Sequence, residues 1–176
     1  MRFAALFAMT RRAMMLGAAS VAIAGSAGAN TLASPTGEPL LTVRGAITNV
    51  GEGNIAQFDL DLLTALPSET FETSTIWTDG VQEFRGVSLD VLLEHVGATG
   101  DNLQLRALND YRITIPASDA REGGPIVAYE QNGSPMSIRN KGPLWLVYPY
   151  DSTTDYQTEE IYARSIWQLI EIEVLP

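Results

Sequence analysis

The sequence predicts a single compact α+β domain of mixed β-sheets with a few short helices. Most apolar residues fall in short runs that alternate or are rich in β-branched and aromatic residues, with Gly, Pro or Asn between the runs. Only short stretches, such as residues 89–96, repeat apolar residues at helical spacing. With 176 residues, 45% of them hydrophobic, the chain is long enough for one domain with a real core and too short for two.

An export signal precedes this domain. Basic residues open the chain, an apolar stretch follows at residues 13–24, and a series of small residues fits cleavage after Ala29. The apolar stretch is short and rich in Gly and Ala, which favours cleavage over a membrane anchor. The pair Arg11-Arg12 suggests twin-arginine export, although the general secretory route stays open. We expect a periplasmic protein, not inserted in the membrane after cleavage, divided into a signal at residues 1–29, a flexible lead-in at 30–39 and one domain at 40–176.

The chain is strongly acidic and has no cysteine. Of its 11 cations, three lie in the signal at Arg2, Arg11 and Arg12, so eight remain against 21 acidic residues, a formal charge of −13. Nucleic-acid phosphates require a basic face, so no nucleic-acid partner is expected. The absence of cysteine excludes disulfides, thiolate metal sites and a cysteine nucleophile. The single histidine, His95, has no partner at metal-ligand spacing, so neither a metal site nor a Ser-His-Asp triad is predicted.

Strand and helix signals alternate in the first half of the domain. The predicted elements are a strand at residues 40–50, a short strand or turn at 56–60, a helix at 62–66, a strand at 69–77 and a helix at 89–96. Asp61 is expected to cap the first helix, which Pro67 stops. Ser88 is expected to cap the second helix, which Gly97 ends.

The second half is richer in strands. The predicted elements are strands at residues 103–108 and 111–115, a helical turn at 117–120, strands at 126–128 and 144–148, a polar loop at 151–160 and a closing apolar element at 162–174. Asn109-Asp110 and Asn132-Gly133 supply the turns, because Asn and Gly tolerate positive φ. Gly142-Pro143 opens the buried strand and Pro149 closes it.

Residues 126–151 carry the most specific motif of the chain. Ala128, Tyr129, Glu130, Asn132, Gly133, Pro135 and Met136 follow the order A-Y-E-x-N-G-x-P-[LM], and a Gly-Pro turn and a strand ending in proline come next. This order resembles the core of the sulfite-oxidase-like, molybdopterin-binding fold. Residues 77–93, 109–111 and 162–166 resemble further parts of the same family. Together these runs cover most of the mature chain, and the resemblance implies the sulfite-oxidase-like fold.

Three positions depart from the family pattern. The resemblance implies a thiolate ligand to molybdenum near residues 73–75, where this chain has two threonines and a serine. It also implies cations at the positions of Trp145 and Trp167, where they would neutralise the phosphate of molybdopterin. All three replacements remove charge. We therefore expect a reduced pterin as ligand, no molybdenum and no catalytic cofactor.

The expected ligand-binding residues are Thr73, Thr75, Asp110, Tyr111, Arg139, Lys141, Trp145 and Tyr150. Trp145 would stack on the pterin ring, and Asp110 would accept from its amino-pyrimidinone edge. Arg139 and Lys141 would face its carbonyl or hydroxyl groups. Each residue also has a structural alternative: a core tryptophan for Trp145, a turn-forming aspartate for Asp110, and a solvated turn for the two cations.

Three functions are compatible with these features. The resemblance extends to small periplasmic pterin-response proteins of this fold, which implies a non-catalytic pterin-binding protein that relays ligand occupancy to the periplasmic domain of a membrane-bound cyclic di-GMP enzyme. A molybdopterin-dependent oxidoreductase, or a degenerate relative of one, is the alternative, and the missing cysteine opposes it. A ligand-free interaction domain that has kept only the fold is the third.

Overall fold

The structure, a computed structural model, describes residues 31–176, so the predicted signal peptide lies outside the described residues. Short strands dominate this part of the chain, and the α-helices are brief. The strands are β1 (Leu41–Gly45), β2 (Ala56–Phe58), β3 (Ser68–Ser74), β4 (Val81–Ser88), β5 (Asn102–Ala107), β6 (Arg112–Pro116), β7 (Ile126–Gln131), β8 (Ser134–Pro135), β9 (Trp145–Val147) and β10 (Leu169–Leu175). The helices are α1 (Leu60–Ala65), α2 (Leu89–His95) and α3 (Glu159–Arg164). This architecture confirms the predicted α+β class.

Five strands form the first sheet, in the order β2-β1-β10-β5-β6. The pairing of β1 with β10 is parallel, and the other pairs of this sheet are antiparallel. Residues alternate between its two faces, so Leu41, Val43, Leu105 and Ile172 are fully buried on one face. The opposite face is polar. In this strand order the C-terminal strand, β10, lies at the centre of the sheet, beside β1.

The second sheet joins β3, β4, β7 and β8, and β9 pairs with β7. A β-bulge interrupts the pairing of β4 with β7 at Arg85 and Gly86. A Cβ atom at Gly86 would lie 2.2 Å from the carbonyl oxygen of Val127, so only glycine permits this close approach. The inner residues of β7 and β9 are buried, including Val127, Ala128 and Leu146.

Several boundaries differ from the sequence prediction. The N-cap of α1 is Asp59 rather than Asp61, because the Asp59 carboxylate accepts from the backbone N–H of Leu62. Ser88 does precede α2 as predicted, but its hydroxyl bonds to Asp90 and not to the helix backbone. Strand β4 extends through residues expected only to lead into α2. Residues 159–164, which the prediction divided between the polar loop at 151–160 and the closing apolar element at 162–174, form α3, and Thr158 caps this helix by accepting from the N–H of Ile161.

The segment before β1 is bound to the domain, whereas its composition predicted a flexible lead-in. The N–H of Leu32 donates to the carbonyl of Val50, and the N–H groups of Thr36 and Gly37 both donate to the Asp59 carboxylate. The bond from Leu62 at the cap of α1, together with the bonds from Gly37 and Thr36, holds the pKa of Asp59 below its usual value. Within residues 31–176, no helix is long and apolar enough to cross a membrane.

Candidate functional site

A cleft of about 290 Å³ opens where three distant parts of the chain meet. Its walls come from the end of β3, from the β5–β6 turn, and from α3 with the segment that leads to β10. The lining residues are Trp77, Ala107, Asn109, Tyr111, Tyr162, Ala163, Ser165, Ile166 and Trp167. Ligand pockets usually measure about 300 to 1,000 Å³, so this cleft suits a small ligand of about two fused rings.

Aromatic side chains form most of the cleft wall. The ring centroids of Trp77 and Trp167 lie 5.6 Å apart at 70°, and those of Trp77 and Tyr162 lie 5.9 Å apart at 89°. In these edge-to-face arrangements the rings support one another. Trp167 is 36% exposed and Tyr111 is 50% exposed, so both present ring surface to solvent at the mouth. Such a wall suits a flat aromatic ligand.

The polar groups of the cleft are uncharged. Asn109 accepts the backbone N–H of Tyr111 with its Oδ1 at 3.2 Å, so its amide nitrogen remains as the hydrogen-bond donor of this side chain. Ser165 lies at the buried end, 4% exposed. No lining residue carries a formal charge. The cleft therefore offers hydrogen bonds without a counter-ion for a charged group.

A tyrosine behind the cleft fixes the position of Ser165. The Tyr150 hydroxyl donates to Ser165 Oγ, and Oγ in turn donates to the carbonyl of Ile161 at 2.9 Å. Burial raises the pKa of Tyr150 far above its usual value, so the phenol stays protonated and remains a donor. Tyr150 was expected to touch a ligand, but it is 1% exposed and reaches the cleft only through Ser165.

Helix α3 is attached to the domain by an ion pair. Arg164 Nη1 donates to both carboxylate oxygens of Asp119, at 2.9 and 2.8 Å. The Tyr148 hydroxyl donates to the same carboxylate at 2.7 Å. Both partners of the pair are largely buried, with 19% and 14% of their side chains exposed. These bonds fix the wall that Tyr162 and the following residues provide.

Trp145 lies behind the cleft and not in it. Its side chain is fully buried, and the rings of Trp77, Phe84 and Trp167 pack against it at centroid distances of 5.9, 5.3 and 6.3 Å. The Nζ of Lys141 lies 5.4 Å from its ring centroid. Direct stacking of a ligand on Trp145 stays a prediction that this geometry does not support, because other side chains cover the indole. Trp77 and Trp167 are the accessible indoles.

Thr73 and Thr75 hold the β3–β4 loop in place and do not line the cleft. Thr73 is fully buried; its Oγ1 accepts from the N–H of Asp151 at 3.1 Å and donates to the carbonyl of Ser74. Thr75 Oγ1 bonds to Thr78 Oγ1 at 2.7 Å and accepts from the N–H of Trp77. Their effect on the cleft is indirect, because they position Trp77. Their predicted role as pocket residues is therefore not supported by the described cleft.

The β5–β6 turn places Tyr111 in the cleft and Asp110 outside it. Asp110 adopts a left-handed conformation with φ of 62°, and 80% of its side chain is exposed. Its carboxylate lies 3.5 Å from Arg106, on the polar face of the first sheet. The prediction that Asp110 reads the ligand edge does not agree with this geometry. Its neighbour Asn109 takes the corresponding place in the cleft.

Arg139 and Lys141 also lie outside the cleft lining. Lys141 is half-buried, and its Nζ donates to the carbonyl of Trp77 at 3.3 Å, so it is committed to the β3–β4 loop. Arg139 is exposed in a short 3-10 turn, Ile138–Asn140. Neither cation therefore lines the described cleft, and their contacts with a ligand stay a prediction.

Sequence reasoning missed most of the actual lining. The predicted site residues do not include Asn109, Tyr162, Ser165 or Trp167, although the resemblance implies a cation at the position of Trp167. The other three lie in runs that resemble the family, but as a turn asparagine, a helix tyrosine and a serine they gave no sign of lining a cleft. Only the meeting of α3 with the β5–β6 turn brings them together.

Residues 55–154 match the family model of the oxidoreductase molybdopterin binding domain, which is more than half of the chain. The chain belongs to this family. Among solved structures it is similar to the sulfane dehydrogenase SoxCD from Paracoccus pantotrophus, with a TM-score of 0.57 and 18% identity over 76% of this chain. The chain spans 37% of the length of that SoxCD chain, and at this identity the similarity shows the fold alone. No curated protein matches this chain.

The molybdenum cofactor of this family does not fit the donor groups of the described site. No cysteine exists in the chain to supply a thiolate. The hydroxyl of Thr73 is buried and already bonded to Asp151 and Ser74. No lining side chain is a cation that could pair with a phosphate. Across residues 31–176, no group of three or more His, Cys, Asp or Glu side chains is placed to hold a metal ion.

Proposed function

We propose that this protein is an exported, non-catalytic pterin-binding protein that relays ligand occupancy to a membrane-bound signalling partner. One observation carries the proposal: the cleft keeps an aromatic wall while every residue that lines it is uncharged. A pterin has a flat bicyclic ring, uncharged hydrogen-bonding edges and a hydroxylated side chain. Each of these features has a matching surface in the cleft.

The ring would bind against the exposed indole and phenol surfaces at the mouth. Trp167 and Tyr111 present the most ring area, and Trp77 and Tyr162 support them from behind. Aromatic stacking on a heterocyclic base contributes about 1 to 3 kcal/mol per ring. The amide of Asn109 would donate to the ligand's carbonyl oxygen. The reduced form of the pterin is proposed from the family resemblance.

The signalling role is proposed from the resemblance to periplasmic pterin-response proteins. On this proposal the periplasmic domain of a membrane-bound cyclic di-GMP enzyme is the partner, and occupancy of the cleft changes its activity. The charge of −13 on the chain after Ala29 favours a partner with a basic docking face.

A molybdopterin-dependent oxidoreductase, or a degenerate relative of one, is the second candidate. Membership of the oxidoreductase molybdopterin binding domain family favours it. The missing thiolate and the uncharged cleft oppose it. A ligand-free interaction domain is a third possibility, although an open cleft of about 290 Å³ opposes that reading.

Protein purified from native periplasm separates the three candidates. We expect pterin fluorescence, released by acid oxidation, at close to one equivalent per chain, and no stoichiometric molybdenum by elemental analysis. Stoichiometric molybdenum would instead establish the oxidoreductase candidate. If the purified protein contains neither pterin nor molybdenum and does not bind added pterin, the ligand-free interaction domain is the remaining candidate.

A further inference from the structure

The two ends of the cleft differ in depth and in hydrogen-bonding character. Ala107, Ser165 and Ile166 form the inner end and are 3 to 4% exposed, whereas Asn109, Tyr111 and Trp167 are exposed at the mouth. A ligand with a hydrophilic side chain binds with that side chain at the mouth, because burying unpaired hydroxyls is costly. The opposite end of the ligand then meets Ser165.

Ser165 has no hydrogen-bond donor left for a ligand. Its hydroxyl donates to the carbonyl of Ile161, and its backbone N–H donates to the carbonyl of Tyr162 at 3.1 Å. The Tyr150 hydroxyl donates to the Ser165 hydroxyl, so the hydrogen of Ser165 must point elsewhere, towards the carbonyl of Ile161. A hydroxyl oxygen has two acceptor lone pairs, so one remains after the bond from Tyr150. Whatever Ser165 offers to the cleft is therefore an acceptor.

The acceptor of Ser165 favours a ligand whose inner end carries a hydrogen-bond donor. In a pterin the side chain at C6 and the 2-amino group lie at opposite ends of the bicyclic ring. With the side chain at the mouth, the 2-amino group, a donor only, reaches the inner end. We propose that Ser165 is the specificity-determining residue of the cleft: it accepts from the 2-amino group and so selects 2-amino-4-oxopteridines over 2,4-dioxopteridines. This inference rests on the proposed function.

The 2,4-dioxopteridines, or lumazines, provide the matched comparison. A lumazine has the same shape as a pterin, but an oxygen replaces the 2-amino group. That oxygen would face the Ser165 acceptor away from water, so the bond made by the 2-amino group would be lost and two acceptors would be placed against each other. Sites built to bond a ligand N–H reject analogues that lack it, whereas apolar sites separate such isosteres poorly.

The test is calorimetric titration of the full mature protein with 6-hydroxymethylpterin and with 6-hydroxymethyllumazine. We expect the wild-type protein to bind the pterin at least about tenfold more tightly than the lumazine. The variant Ser165→Ala should reduce that ratio to within about twofold. Ser118→Ala, at an exposed serine that does not line the cleft, is the matched control and should keep the wild-type ratio.

Ser165→Ala leaves the buried Tyr150 hydroxyl without its acceptor, so this variant is less stable. The double variant Tyr150→Phe/Ser165→Ala removes both partners and keeps the measurement possible if the single variant does not fold. Equal affinity of the wild-type protein for the two ligands, or a ratio that survives in the folded variants, would overturn the inference and leave pterin binding intact. If neither ligand binds, the proposed function itself fails.

Discussion

At the scale of single residues, exposure separates two tryptophans that the sequence presents as equivalent. Both occupy positions where the family pattern has a cation, and they form an isolated β-bridge with each other. Trp145 is fully buried, whereas Trp167 is 36% exposed at the mouth of the cleft. The two residues therefore have different effects: Trp145 stabilises the core and Trp167 provides ligand surface.

Alanine substitutions at the two positions should separate stability from binding. Trp167→Ala should weaken pterin binding by about 1 to 3 kcal/mol, because it removes the exposed stacking surface. Trp145→Ala should lower the free energy of unfolding by about 3 to 5 kcal/mol, because it creates a large cavity in the core. Pterin titration and urea unfolding measure the two effects.

Val81→Ala is the control for Trp167→Ala, since Val81 is a large apolar residue, 60% exposed, that does not line the cleft. It should leave pterin affinity unchanged. Unchanged affinity in Trp167→Ala as well would refute the assignment of Trp167 as a stacking residue.

Thr73→Val tests the structural role of the position where the family pattern implies a thiolate. The substitution keeps the side-chain shape but leaves the N–H of Asp151 without its acceptor. We expect a loss of about 1 to 2 kcal/mol in the free energy of unfolding and pterin affinity within about twofold of wild type. Thr70→Val, at an exposed position of the same strand, should change neither quantity. A large loss of affinity without a loss of stability would instead place Thr73 in the binding site.

At the scale of elements, a ladder of charges stabilises the outer face of the first sheet. Glu171 of β10 bonds to Arg106 of β5 at 3.0 Å and to Arg44 of β1 at 3.3 Å, and Arg44 also bonds to Glu173 at 2.7 Å. Glu171 is only 14% exposed. The ladder thus connects three neighbouring strands, including the parallel pair β1–β10, through paired side chains.

Glu171→Gln should destabilise the protein in a pH-dependent way. The hydrogen bond from Arg106, with a further bond from Arg44, holds the pKa of Glu171 below its usual value despite partial burial. Because the pKa of Glu171 is lower in the folded state, its ionised form stabilises the fold. This stabilisation is fully present above the unfolded pKa of about 4.3 and is lost as the pH falls through the folded-state pKa. We expect the variant to be about 1 kcal/mol less stable at pH 7.

The difference between wild type and Glu171→Gln should begin to shrink as the pH falls below the unfolded pKa of about 4.3. It should disappear below the lowered folded pKa, where the glutamate is neutral in both states, as glutamine always is. Urea unfolding at a series of pH values measures this. Glu159→Gln, at an exposed position of α3, is the control and should show a much smaller effect at pH 7. A difference that does not change with pH would show that Glu171 acts through packing rather than charge.

At the scale of the whole molecule, the cleft depends on the chain topology. Its lining residues come from three segments, at position 77, within 107–111 and within 162–167, and no local pattern connects these segments. The central position of β10 beside β5 brings α3 to the β5–β6 turn, and the ion pair of Arg164 with Asp119 fixes it there. The same topology leaves the polar face of the first sheet exposed to solvent.

The prediction from sequence was good for elements and weak for the site. The strands near residues 41–45, 102–107, 112–116 and 126–131 and the helix at 89–95 lie where periodicity predicted them. Of the eight predicted site residues, Tyr111 alone lines the cleft. Alternation tells which residues share a face of a strand, but in a strand buried on both faces it does not tell which face meets a cavity.

The sequence by itself determined the α+β class and the acidic charge. It also determined the absence of any thiolate and the abundance of aromatic residues near the chain's most specific motif. These properties follow from composition and local periodicity. Tertiary structure alone decided which indole is exposed, which turn residue points inward, and that Ser165 is left with only an acceptor to offer. These depend on contacts between segments far apart in the chain, such as Tyr150 with Ser165, whose partners no local pattern specifies.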